Sequence, residues 1–283
     1  MCVENAFGRR SHPPRGRTPP SSQGAPLPVI DLSSPVDASG WEPDPIVHEI
    51  MTPAEGARHM ADEMRTHFGL EFDPADLPGG ELLSLDTITL TSHTGTHVDA
   101  PSHYGSVGDY GVPRNIDQMP LDWFLRPAVV LDVRDVGVGV IGRERIEKEL
   151  ARIGYQPQPL DIVILHTGAS RFVGTPDYFT QFAGLDGPAT EFLLDLGVRV
   201  IGTDAWSLDA PFGDMIRRFQ ETGDRSVLWP AHFAGRRTEY CQIERLANLD
   251  ALPAPFGFRV SCFPVKIVGA GAGWTRAVAL VDE

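Results

Sequence analysis

Apolar positions along the chain recur in two periods. From Glu55 to Phe68, Ala57, Met60, Ala61, Met64 and Phe68 fall at helical spacing, with Pro53 ahead and Gly69 behind as helix punctuation. Val29, Ile30 and Leu32 predict a first strand just after Pro28, and Leu85 to Leu90 a strand leading into a histidine-rich segment. Val129-Val130-Leu131 and Ile162 to Leu165 are short, wholly apolar runs, the pattern of strands buried on both faces. Arg143 to Arg152 between them predicts a helix. Ala189 to Leu196 predicts another, ended by Gly197, and Val198, Val200 and Ile201 a strand stopping at Gly202. Cys262 to Val268 and Ala277 to Val281 read as closing strands. Strands and helices intermix without an internal repeat or a second apolar core. The expected fold is therefore α/β: a single domain of mixed sheet and helices over residues 28–283.

Residues 1–27 depart from that pattern. Arg9, Arg10, Arg15 and Arg17 lie among Pro13, Pro14, Pro19 and Pro20. Too little apolar surface is present to offset chain entropy, so a disordered tail is expected. Arg9-Arg10 is not followed by an apolar segment, which argues against an export signal and for a cytoplasmic protein.

Composition narrows the function. With 42% hydrophobic residues in 283, the chain can bury a sizeable core. No run approaches the roughly 18 apolar residues of a membrane helix. A net charge of −14 speaks against nucleic acid or anionic membrane as partner. Cys2, Cys241 and Cys262 are odd in number and widely spaced, which fits a reducing compartment without a disulfide framework. Cys241 and Cys262 sit in apolar surroundings and are expected in the core. Lys148 and Lys266 are the only lysines, an arginine-for-lysine usage associated with GC-rich coding.

The chemistry concentrates in His93-Thr94-Gly95-Thr96-His97-Val98-Asp99-Ala100-Pro101-Ser102-His103. The steps from His93 to His97, Asp99 and His103 are all even. In extended chain, even steps place side chains on one face. Gly95 and Pro101 oppose helix, and Thr94, Thr96 and Val98 favour extension. Two imidazoles and a carboxylate suit zinc, manganese or iron, and the two oxygens of Asp99 could bridge two ions. A lone histidine beside an apolar strand is more often structural. Three histidines and an aspartate on one face would leave several buried polar groups unpartnered without a metal, each at about 1–3 kcal/mol.

That segment resembles the His-x-Gly-Thr-His-x-Asp-x-Pro-x-His signature of the cyclase family. The family includes bacterial kynurenine formamidase, isatin hydrolase and proteins assigned as aromatic polyketide cyclases. The likeness runs from Asp31-Leu32-Ser33 to Ala277–Val281. It implies a swivelling β/β/α fold, with His93, His97 and Asp99 as metal ligands and His103 as general acid/base. It also implies that His232 and Glu244, twelve residues apart, complete the metal set. Glu244-Arg245-Leu246-Ala247-Asn248-Leu249 is a further family mark. Trp41 matches an aromatic substrate contact of the formamidases. The resemblance further implies one or two ions, Zn2+ or Mn2+, and a homodimer or homotetramer with Trp41 or Trp206 near a neighbour. Two departures stand out: Ser34 where the family often has histidine, and Gly202 to Asp209, where Trp206 would reshape the substrate pocket.

The parts serve two reactions on a small carbonyl compound. A metal polarising a ketone, with His103 as general acid/base, would close a ring of an aromatic polyketide intermediate. The same metal activating water would hydrolyse an amide, formamide or lactam. Composition, Trp206 and an aromatic wall tilt the sequence reading toward ring closure, in the biosynthesis of an antibiotic-like secondary metabolite. A structural metal clamp is the third reading, but closed structural zinc sites use four ligands and no spare histidine. His166, at a predicted strand end, is an alternative proton carrier. Asp204 and Asp209 are candidate orienters or turn residues. His48, His59 and His67 are expected at the surface. Gly269 to Gly273 is expected to form a turn rather than a phosphate loop.

Overall fold

The computed structural model describes residues 28–281. The expected tail, its Arg9-Arg10 pair, His12 and Cys2 lie outside them. In chain order the strands are β1 Val29–Asp31, β2 Val47–Met51, β3 Leu85–Thr89, β4 His97–Asp99, β5 Leu125–Asp132, β6 Gly139–Ile141, β7 Ile162–His166, β8 Ala183–Leu185, β9 Val200–Thr203, β10 Cys241–Glu244, β11 Phe258–Ser261, β12 Ala272–Trp274 and β13 Val278–Val281. The helices are α1 Pro53–Phe68, α2 Arg143–Ile153, α3 Gly187–Asp195, α4 Phe212–Thr222 and α5 Pro230–Ala234.

Local signals account for the helix ends. Thr52 and Glu55 form a reciprocal capping box at the start of α1, and Gly69 closes it at φ 61°. Asp186 caps α3 by accepting from the Ala189 amide at 2.7 Å.

Nine strands form one mixed sheet in the order β1-β13-β11-β5-β7-β9-β10-β4-β12. The central run β5-β7-β9-β10 is parallel. Right-handed α/β logic requires crossovers there, and α2 and α3 supply them between β5, β7 and β9. Side chains alternate between two cores. Val129, Leu131, Val163, Leu165 and Ile201 pack with Ile146 and Leu150 of α2 and Leu193 of α3. Ala128, Val130, Ile162, Ile164 and Val200 face the opposite side, with Phe124, Val260, Ala277 and Ala279. The mixed α/β single domain expected from the pattern is the one found.

Three expectations change. Cys262 to Val268 is largely irregular, and the strand is Phe258–Ser261 instead. Pro264 has no amide to donate, and Val265 and Val268 are exposed rather than packed. Leu85–Thr89 is a strand, but it pairs only with β2 in a separate two-stranded ribbon. The turn expected at Gly269 to Gly273 ends early, because Ala272 and Gly273 already belong to β12.

Candidate active site

Asp99 is the centre of the site. It is fully buried on β4, which runs antiparallel to β10 so that His97 stands opposite Glu244. This pairing joins the two halves of the chain. Only His97–Asp99 of the motif is strand. Gly95 takes φ +69° in the turn before it, where a Cβ would lie 2.9 Å from Val36, and Pro101–His103 is a 3-10 turn. One continuous extended face was therefore the wrong local geometry. A tight turn on each side of a three-residue strand folds His93 and His103 back over Asp99 instead.

Two donor sets share Asp99. His97, Asp99 and Glu244 present ligand atoms within 4.8 Å of one another, as do His93, Asp99 and His103. His93 Nδ1 lies 2.9 Å and His97 Nε2 3.3 Å from Asp99 Oδ1, and His97 Nε2 lies 3.7 Å from Glu244 Oε2. His97 Nδ1 faces the Gly95 carbonyl at 2.8 Å, which turns Nε2 toward the cluster. His97 Nε2 and both Asp99 oxygens are buried without a hydrogen-bond partner. Orphaned atoms of this kind, converging from imidazole and carboxylate, fit a divalent metal.

His232 stands outside both sets. Its ring centroid is 5.4 Å from that of His103, and its Nδ1 is hydrogen-bonded to Asp209. Asp209 also accepts from the Ala231 amide at 2.6 Å. His232 therefore presents Nε2 to the cleft, from a five-residue helix entered through Trp229 at φ 49°. Glu244 is held by the Leu208 amide at 2.8 Å and Ser207 Oγ at 3.1 Å.

Burial alone would raise Asp99, but His97 and His93 hold it well below its usual range. Burial and Asp99 push Glu244 upward. Burial disfavours charge on His232, yet Asp209, Glu244 and Asp99 outweigh it and raise the imidazole to about 9. His103 moves the other way: the protein around it, then His93 and His232, lower it, against Asp99. His103 sits exposed at the mouth and is the site histidine most disposed to be neutral.

The predicted aromatic residues, Trp41 and Trp206, join an aromatic wall whose other members the sequence did not reveal. Trp41 meets Phe179 at 6.2 Å, and Phe179 meets Trp206 at 5.1 Å and Phe212 at 5.4 Å. Phe212 in turn meets Trp229 at 5.6 Å, just before the helix of His232. Tyr104 was also missed. It stacks on Tyr240, edges His232 at 5.5 Å and donates to the Asp99 carbonyl at 3.4 Å. Contacts between distant segments carry no local signal, although Tyr104 adjoins the motif.

The remaining expectations separate. His166 lies in another crevice, 3.7 Å from Asp250, beside Asp132 and Arg134. Asp204 braces a turn through the Thr167 and Gly168 amides at 2.7 and 2.9 Å, whereas Asp209 orients His232. His48, His59 and His67 are exposed, and Cys241 and Cys262 are buried. Among the described residues, no helix is long and apolar enough to cross a membrane.

Comparison with known proteins places this arrangement. The chain is 30% identical to the kynurenine formamidase of Salinibacter ruber over 203 residues, covering 69% of this chain and 79% of that one. It is 28% identical to the kynurenine formamidase of Maricaulis maris over 202 residues, covering 69% and 80%. Isatin hydrolase A from Labrenzia aggregata superposes with a TM-score of 0.68 at 23% identity, over 91% of this chain and 94% of that one, a likeness of fold. Residues 30–210 match the sequence profile of the family described as "Putative cyclase". The chain belongs to the Cyclase family and is an enzyme of that family.

Proposed function

We propose that this enzyme is a metal-dependent hydrolase that cleaves a carbon–nitrogen bond in a small amide, formamide or lactam. The observation that carries the reading is kinship with named formamidases over two thirds of the chain. The orphaned donors on His97 and Asp99 supply the site. Ring closure of a polyketide rests on composition, on Trp206 and on the aromatic wall; the wall suits a flat amide or lactam equally, and the named formamidase relatives support hydrolysis better.

His93, His97, Asp99 and Glu244 would hold one or two ions, zinc or manganese, with His232 completing the set from the opposite wall. A bound ion supplies Lewis acidity toward a carbonyl oxygen and acidifies water. His103, disposed to be neutral, takes a proton from the attacking water and returns it to the leaving nitrogen. Asp209 fixes the His232 tautomer, as carboxylates do behind metal-facing histidines. The wall from Trp41 to Trp206 offers faces on which a flat ring can stack.

The test is incubation of zinc- or manganese-loaded protein with aryl formamides, lactams and polyketide intermediates, followed by mass. Gain of one water on amides or lactams is expected. Unchanged mass or loss of water, with ring closure of a polyketide, would return the assignment to cyclisation.

We also infer a homo-oligomer. The ribbon of β2 and β3 is exposed along nearly its whole length, and a lone two-stranded ribbon is marginal in water. Ile50, Phe68, Leu70, Leu83, Leu85 and Ile88 are each about half or more exposed on this arm. A second copy of the chain is the proposed cover.

A further inference from the structure

Arg245 carries an unusual combination of constraints. Its backbone sits at φ 61°, a left-handed conformation that disfavours side chains with a Cβ. Its side chain is only 6% exposed, and its Nε is buried without a partner. The guanidinium carbon lies 3.4 Å from the Trp206 ring centroid. Nη1 donates to both Glu42 oxygens, at 3.2 and 3.1 Å. The Arg245 carbonyl accepts from Ser34 Oγ at 2.8 Å and Thr96 Oγ1 at 2.6 Å, and its amide donates to the Ala205 carbonyl at 3.0 Å.

One residue thus touches three segments around the donor cluster. They are the segment from Ser34 to Glu42, which carries Trp41; the loop from Ala205 to Leu208, which carries Trp206 and supports Glu244; and the turn that leads into His97. Arg245 itself directly follows Glu244 on the chain. Backbone strain and a desolvated, incompletely satisfied cation both cost stability, and such costs cluster where geometry must be held. Arginine can lay its plane on an indole while one of its amino groups holds a carboxylate; a lysine ammonium has no plane to stack.

We propose that Arg245 is a positioning residue. With Glu42 as its counter-ion, it latches Trp206 and the Trp41 segment in register with the donor cluster and so sets selectivity for a flat aromatic substrate. The substrate arm rests on the hydrolase reading above; the latch itself does not.

Three variants test it, each metal-loaded. Arg245→Gly removes the side chain and the left-handed strain together, which spares the fold. Arg245→Lys keeps the charge but loses the plane, and Glu42→Gln removes the counter-ion. Near-UV circular dichroism and tryptophan emission report the indoles without reference to turnover. Expected for Arg245→Gly are wild-type metal content and altered spectra. KM for an aromatic amide should rise about tenfold, with kcat within about threefold and a smaller KM change for a short aliphatic amide. Arg245→Lys and Glu42→Gln should shift the same readouts less. Wild-type spectra and KM in Arg245→Gly would overturn the latch. So would loss of metal and kcat at unchanged KM, which would make Arg245 a support of Glu244 alone. If the wild type hydrolyses no amide, the hydrolase reading fails, and the spectra at constant metal content still decide the latch in either direction.

Discussion

His103 and Asp99 occupy one cleft, and the proposed hydrolase gives them separable duties. Asp99 is buried, shared by both donor sets and without a hydrogen-bond partner on either oxygen, which makes it the proposed anchor of a divalent cation. His103 is exposed, follows Pro101 on a 3-10 turn and is lowered toward neutrality. Asp99→Asn should therefore lose both metal and turnover. His103→Ala should keep metal and lose turnover by roughly 10²–10⁴-fold, the range for proton-transfer groups. Metal analysis beside kcat distinguishes them. His103→Ala protein without metal would make His103 a ligand, which its 4.8 Å proximity to His93 and Asp99 permits geometrically.

At the scale of elements, α2 is tied to the end of β5 by a buried carboxylate. Glu149 accepts from the Asp132 amide at 3.2 Å, from Arg145 at 3.3 Å, and from Arg152 at 2.9 and 2.6 Å. Arg152 is the main reason its carboxyl lies below the ordinary 4.5, with burial opposing. A depressed folded value means that the stabilisation is complete above the unfolded value and disappears as pH falls through the folded one. Glu149→Gln should cost about 1–3 kcal/mol near pH 7, because the buried amide would turn an NH2 group toward Arg145 and Arg152 and lose the charge-assisted bonds. Thermal melts should then converge as the pH falls below 4.5 and through the lower folded value, where native Glu149 becomes protonated too. A melting difference that stays constant down to acid-range unfolding would assign the effect to packing rather than charge.

For the whole molecule, the exposed arm is the feature a single copy leaves unexplained. Ile50 and Ile88 share one face of the ribbon, because the register pairs Ile50 with Asp86 and His48 with Ile88. Wild-type protein should sediment as a dimer or larger at micromolar concentration. Ile50→Asp together with Ile88→Asp should shift it toward monomer. A wild-type monomer with full activity would remove the oligomer from the account.

What the sequence determined by itself is local. Helical spacing with Pro53 ahead and Gly69 behind placed α1 within a residue or two, because a proline in the first turn and a left-handed glycine act over one turn of chain. The stretch from Arg143 to Arg152 marked α2 as closely. The wholly apolar runs at Val129 and Ile162 marked the central parallel strands, because only a strand covered on both faces tolerates them. The histidine–aspartate spacing announced a donor cluster, although the supporting geometry is two turns around a short strand rather than one extended face. His232 and Glu244 were legible only through family likeness, since nothing near them in sequence distinguishes them from other polar residues. Tertiary structure decided the rest. Antiparallel pairing set Glu244 against His97, Asp209 turned His232 toward the cleft, and Phe179, Phe212 and Trp229 linked Trp41 to the helix of His232. Each depends on contacts between segments far apart along the chain, which the fold brings together and short-range pattern cannot encode.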